Sequence, residues 1–264
     1  MLDLMERSRP AVEVLMPHGR FSHKTQVTAL TAVSQSDGPP ILFSGAVDGS
    51  IKSWKFNPAG GPPGSGRPHQ WLNRALGEGH VRAVSGMQFV NNRLVTCGLD
   101  HCIQVWDPTK PLGPTAVLAG ARAHSSEVTA LCPLTIKGDP CLVTGATNGS
   151  LVVWNAKNPD KLVEMKRERE YTKKPISCLK CMQLPASSGA GAKNICVVGH
   201  RDGGMTVRNV DKGMPIYSVL GHHSSAGSGH SRVVLGVTAV HGGVIRGWLT
   251  VSQDNTIMAW MDKS

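Results

Sequence analysis

The chain has 264 residues, 40% hydrophobic and 17% charged, with 30 glycines, 17 prolines, seven cysteines and a formal net charge of +10. That length can bury well over half of the unfolded surface in one or two domains, and the composition excludes a disordered chain. No apolar run nears the roughly 18 residues of a membrane-spanning helix, the first 20 residues carry Asp3 and Glu6 instead of a signal-like apolar core, and no long amphipathic period favours bundles, coiled coils or doubly wound α/β enzymes.

The predicted elements are strands throughout. After an N-terminal extension over 1–10, an extended segment runs from Ala11 to Met16. An alternating strand at 26–33 is followed by the hairpin Leu42 to Trp54, and a blurred strand falls near Trp71 to Ala75. Strands at 84–90 and 115–120 flank the hairpin Leu94 to Trp106. The order then repeats: 128–134, the hairpin Leu142 to Trp154, 161–166; 176–184, the hairpin Cys196 to Arg208, 215–220; and finally 234–240 with the hairpin Leu249 to Trp260. Alternation with period two and Gly/Asp/Asn turns identify hairpins whose strands face two environments.

The five hairpins share one pattern. A turn residue (Asp48, Asp100, Asn148, Asp202, Asp254) is followed six residues later by Trp54, Trp106, Trp154, Arg208 or Trp260. It is preceded four residues earlier by Ser44, Thr96, Thr144, Val198 or Thr250. The pattern returns about every 50 residues, the mark of a stacked or radial repeat.

The set Gly79-His80, Thr96, Asp100 and Trp106-Asp107 resembles the WD-repeat family of β-propellers, and the likeness extends over about residues 11–261. It implies an all-β propeller of four-stranded antiparallel blades, with repeats at about 11–56, 57–107, 115–155, 161–209 and 215–261. Each repeat supplies the outer strand of one blade and three strands of the next. The family usually has seven blades, and five repeats are visible here. Either they close a five-bladed ring, sealed by pairing 11–16 with the last strand, or they form an open arc completed by a partner. The resemblance also implies a structural relay of His, Ser/Thr, Asp and Trp in each blade: His80, Thr96, Asp100 and Trp106; His124, Thr144, Asn148 and Trp154; His23, Ser44, Asp48 and Trp54; and either His222 or His230 with Thr250, Asp254 and Trp260. The fourth repeat, with Val198 and Arg208, lacks the set and is expected to form the least stable blade.

No catalytic constellation appears. The Cys178-x-x-Cys181 spacing could suit zinc, but residues three apart on one strand face opposite sides, and no second ligand pair lies nearby. The turn carboxylates recur once per blade and so cannot share one pocket. Phosphate-binding loops, nucleophile elbows and H-E-x-x-H are absent. The chain therefore reads as a non-enzyme without metal, cofactor or small-molecule substrate. Its few cysteines read as free thiols of a reducing compartment, cytoplasmic or nuclear.

A basic excess calls for an acidic partner. In a propeller the loops before the inner strands share a rim with the Asp turns. That places Arg20, Lys24, Arg82, Arg122, Lys166, Arg167, Arg169, Lys173, Lys174, Arg201 and Arg232 on or beside one face. Such a rim suits acidic surfaces of other subunits in a larger assembly. The alternative is a ribonucleoprotein or ribosome-associated subunit touching RNA phosphates. Base stacking is disfavoured, since Trp71 and Tyr171 are the only aromatic side chains to spare. No membrane contact is expected.

Overall fold

The computed structural model describes residues 23–35, 38–57, 70–75, 79–110, 113–168, 174–184, 193–212, 214–219, 229–242 and 245–261. The expected strand 11–16, the extension before it and most of the glycine-rich loops at 57–70, 185–194 and 221–229 lie outside these residues. Within them the protein is five antiparallel sheets. Blade one holds β1 (Val27–Gln35), β2 (Gly38–Ala46), β3 (Ile51–Asn57) and β4 (Gln70–Ala75), so the blurred strand of the second repeat completes the first blade. Blade two holds β5 (Val84–Val90), β6 (Arg93–Gly98), β7 (Ile103–Trp106) and β8 (Ala116–Leu118). Blade three holds β9 (Val128–Ile136), β10 (Asp139–Ala146), β11 (Leu151–Asn155) and β12 (Val163–Glu168). Blade four holds β13 (Ile176–Leu184), β14 (Lys193–His200), β15 (Met205–Asn209) and β16 (Met214–Val219). Blade five has β17 (Val234–Gly242), β18 (Ile245–Ser252) and β19 (Ile257–Met261). No helix among the described residues is long and apolar enough to cross a membrane.

The hairpin between the second and third strands is built identically five times. The carboxylate or amide oxygen of Asp48, Asp100, Asn148, Asp202 and Asp254 accepts the backbone N–H two residues on, at 2.9–3.2 Å. This is the Asx turn that makes Asp and Asn turn residues. The next residue has positive φ: Gly49 at 82°, His101 at 66°, Gly149 at 83°, Gly203 at 82° and Asn255 at 65°. Glycine enters this conformation freely, and Asn and His more readily than most residues.

The inner strands β1, β5, β9, β13 and β17 surround a central opening lined by Thr28, Ser85, Thr129, Ser177 and Leu235. The core lies between blades, not within any one of them. One cluster joins Phe43 and Ile51 of blade one to Val84 and Met87 of blade two. Others join blades two and three, three and four, and four and five. A hydroxyl locks each of these four seams. Thr28 donates to the Val84 carbonyl at 2.6 Å, Ser85 to Val128, Thr129 to Ile176 at 2.7 Å and Ser177 to Val234 at 2.6 Å.

The turn glycines also govern how blades meet. A Cβ on Gly49 would lie 1.6 Å from the His80 carbonyl oxygen of the next blade, whereas a Cβ on Gly138, at φ 86°, meets nothing within 4 Å. Gly138→Ala is therefore expected to cost only the left-handed backbone penalty, about 1–2 kcal/mol. Gly49→Ala must in addition push blade two away from blade one. Denaturant melts of the two variants should show Gly49→Ala clearly the less stable, and equal midpoints would contradict this packing.

Candidate functional site

The rim that carries the Asp turns is the feature most able to meet another molecule. Each loop leading into an inner strand is tied to its blade's turn by a backbone hydrogen bond: Val47 to Gln26, Leu99 to Ala83, Thr147 to Glu127, Arg201 to Pro175 and Gln253 to Val233, all at 2.9–3.0 Å. Five loops are thereby held at one level on one side of the ring.

Beneath the rim runs the relay. The indole N–H of Trp54, Trp106, Trp154 and Trp260 donates to Ser44, Thr96, Thr144 and Thr250 at 2.7–2.9 Å. The same hydroxyls lie 2.7–2.9 Å from Nε2 of His23, His80, His124 and His230. His230, not His222, thus fills the fifth position; His222 is outside the described residues. The far side of the imidazole departs from expectation. His80 Nδ1 reaches Asp100 directly, at 2.9 Å. In the other three blades a hydroxyl intervenes: His23 meets Ser50 at 2.8 Å, His124 meets Ser150 at 2.9 Å and His230 meets Thr256 at 2.7 Å. Asp254 alone of the other turn residues also approaches its imidazole, at 3.3 Å. Asn148 instead uses its amide N–H on Ser125. The signal for the intervening hydroxyl was present in the sequence: the residue two after the turn is Ser50, Ser150 or Thr256, but Cys102 in blade two. Burial pushes the Asp100 carboxyl up, yet hydrogen bonds from His80 and from the Cys102 and Val81 amides outweigh it and hold the carboxyl below its ordinary range.

The basic residues divide. Arg82 pairs with Glu127 at 2.9 Å, Lys174 with Asp202 at 2.6 Å and Arg167 with Glu164 at 2.6 Å. Lys166 donates to the Val210 and Asp211 carbonyls after β15, on the side away from the Asp turns. Its charge bridges blades three and four and is not offered at the rim. Lys24, Arg122, Arg201 and Arg232 are exposed and form no ion pair among the described residues. Arg20, Arg169, Lys173 and Tyr171 lie outside the described residues, as does the side chain of Trp71.

A family model for the WD domain, G-beta repeat, matches residues 17–55, 73–107 and 115–155. These segments carry three of the four complete relays. Over these segments, which make up less than half of the chain, the protein is similar to the WD-repeat β-propeller family. It is similar to Striatin-4 of Mus musculus, 25% identical over 82% of this chain and 27% of that protein. It also resembles the F-box/WD repeat-containing protein sel-10 of Caenorhabditis elegans, 30% identical over 44% of this chain and 17% of that one. Striatin-3 of Homo sapiens is 23% identical over 54% of this chain and 18% of its own length. The chain spans about a quarter or less of the length of these relatives.

The fourth WD-like blade abandons the relay, as its sequence indicates. Arg208, in the place of Trp, is buried and donates to Glu168 at 3.3 Å. His200 Nε2 lies 2.8 Å from Thr206. Arg208 Nε and Nη2 and His200 Nδ1 meet no partner among the described residues, so polar groups replace a bonded indole at the heart of this blade. All seven cysteines are free thiols. Burial pushes Cys178 up to about 11 and Cys97 up to about 12, which makes them small core residues and poor nucleophiles.

The relay contacts set both a stability ranking and a pH dependence. Trp106→Ala would leave Thr96 and His80 facing a cavity and should cost about 3–5 kcal/mol; Trp260→Ala, at a half-buried site, should cost less, and urea melts would rank them. Burial, helped by the Arg167 guanidinium, lowers the His124 imidazole from 6.5 to about 3, and burial lowers His200 to about 4. Between pH 6.5 and these values the unfolded chain binds protons that the folded chain refuses. Stability is therefore full above pH 7 and falls on acidification, by about 2 kcal/mol from His124 alone between pH 7 and pH 5. A His124→Gln variant, itself less stable, should show a shallower loss of melting temperature over that range.

Proposed function

We propose that this propeller is a non-catalytic docking subunit of a larger protein assembly, and that it receives acidic segments of its partners on the Asp-turn rim. The observation that carries the reading is the set Lys24, Arg122, Arg201 and Arg232. These are four exposed cations: Arg201 in the Asp turn of blade four, and Lys24, Arg122 and Arg232 in the segments that lead into β1, β9 and β17, on the rim of the Asp turns. Separate in sequence, they form one field only because the repeat is radial. With a net charge of +10 this field attracts acidic chains and speeds their encounter. Similarity to the WD-repeat family supports protein partners. The ion-paired Arg82, Arg167 and Lys174 take supporting parts, and Lys166 takes none at the rim.

The quadruple variant Lys24→Glu, Arg122→Glu, Arg201→Glu, Arg232→Glu should fold and melt like the parent, yet bind a synthetic Glu/Asp-rich peptide at least tenfold more weakly at low salt, with the difference shrinking as salt rises. Reversal of Lys166 and Arg167 should instead lower the melting temperature, because Lys166 joins blade three to blade four and Arg167 ties β12 to the segment leading into β9. Unchanged peptide affinity in the quadruple variant would remove the rim reading. Tight binding of polyuridylate by the parent, with steep salt dependence, would favour the RNA alternative.

A further inference from the structure

Three of the seven cysteines meet at one seam. Cys132 of β9 and Cys181 of β13 approach each other across the boundary of blades three and four, and Cys196 pairs directly with Cys181 between β13 and β14. Side chains paired in this way stand on one face of a sheet, so Cys196 also looks toward blade three. All three belong to the apolar cluster that joins these blades, and they are 4%, 7% and 0% exposed. Cys132 Sγ accepts the Cys181 N–H at 3.2 Å, and the Cys181 thiol lies against both Cys132 and Cys196. The other seams carry no sulfur pair at these register positions. The corresponding residues are Thr31, Phe89 and Leu94 between blades one and two, Gln88, Pro133 and Leu142 between two and three, and Lys180, Ala239 and Trp248 between four and five. The three sulfurs do not make a metal-binding group among the described residues.

The two facing thiols are not equivalent. Cys132 receives hydrogen bonds from the Cys181 thiol and N–H. Together with the nearby Lys180 ammonium, these outweigh burial and pull the Cys132 thiol down to about 7. Cys181, which gives those bonds and is itself buried, is pushed well up. The thiolate is the form that attacks an oxidant. The pair therefore holds one sulfur ready to attack and a second beside it, across a blade boundary, ready to follow.

We propose that Cys132 and Cys181 are a peroxide-responsive dithiol, whose disulfide joins blade three to blade four. Only a small oxidant reaches sulfurs so enclosed, which selects hydrogen peroxide over a bulky disulfide such as oxidised glutathione. The Cys132 thiolate attacks one peroxide oxygen. The O–O bond breaks, Cys132 becomes a sulfenic acid, and the departing hydroxide takes up the proton that Cys132 gave and leaves as water. The Cys181 sulfur then attacks the Cys132 sulfur. The S–S bond forms, the S–O bond breaks, and the hydroxide leaves as water with the Cys181 proton. In sum two thiols are oxidised, one peroxide is reduced and two waters are released. The new bond closes the chain from Cys132 to Cys181 into a loop and so restricts the unfolded state. It also fastens blade four, the blade that holds Arg208 in place of the relay Trp. The thiol pair is distinct from the charged rim and does not depend on it.

The test uses the full, reduced chain. In native buffer a small excess of hydrogen peroxide should remove two titratable thiols, and peptide mapping without reduction should show Cys132 linked to Cys181. The melting temperature should rise by about 5 °C or more and fall back when dithiothreitol is added. Cys181→Ala should stop at a Cys132 sulfenic acid that dimedone traps. Cys132→Ala should yield neither the link nor a trapped adduct at Cys181, and Cys196→Ala and the rim quadruple variant should keep the link. The mapping is made on the parent chain, so its result stands even where a variant folds poorly. A link between Cys181 and Cys196, a link between two molecules, oxidation confined to Cys102 and Cys178, or a link that forms only where urea unfolds the chain would overturn the proposal. A linked chain that melts no later than the reduced one would overturn it as well.

Discussion

A small twisted sheet has two faces and can bury neither alone. In this protein each blade covers the next, and the apolar clusters accordingly fall at the seams. The strongest requirement at a seam is that a Val or Ile at the head of each inner strand disappear beneath the preceding blade. The inter-blade hydroxyls add direction to that packing. They donate to a backbone carbonyl that the first residue of the strand would otherwise leave unsatisfied in an apolar setting, and so hold neighbouring blades in a fixed register.

The relay and the turn are two solutions to the problem of polar groups near that core. A buried indole N–H needs an acceptor, and one Ser/Thr hydroxyl serves both it and an imidazole. The imidazole's other nitrogen is served by whatever lies two residues past the turn: a hydroxyl in three blades, and in blade two, where Cys102 offers none, the carboxylate of Asp100 itself. The turn Asp or Asn keeps its Asx bond in all five blades, so closing the hairpin is its constant role and meeting the imidazole its variable one. Blade four shows the consequence of losing the indole. A guanidinium fills the space, pairs with Glu168 and leaves polar nitrogens without a partner among the described residues.

The molecule thus presents two unlike surfaces. The rim is polar, and its cations are usable only where no internal carboxylate has claimed them. Where the last and first blades face each other, Val27, Val251 and Ile257 are exposed aliphatic side chains. Charge acts over distance and sets the rate and selectivity of encounter, while apolar complementarity acts only on contact.

The sequence alone determined the strand order, the five hairpins, the turn residues and most relay members. These depend on local spacing: six residues from turn to Trp and two from turn to hydroxyl are set by hairpin geometry, and fivefold repetition raises them above chance. Even the departure of blade four was legible, in Val198 and Arg208. Only the tertiary structure decided which of His222 and His230 reaches Thr250, since a loop can bring either histidine near the strand. It alone showed which cations are engaged among the described residues, because Arg82 finds Glu127 and Lys166 finds Val210 across blade boundaries that no local pattern records. It alone showed that Val27 and Ile257 are exposed where Val84 and Ile51 are buried. An exposed Ile257 and a buried Ile51 look alike in a strand pattern; what differs is whether a neighbouring sheet stands close enough to exclude water, and that distance belongs to the assembled ring.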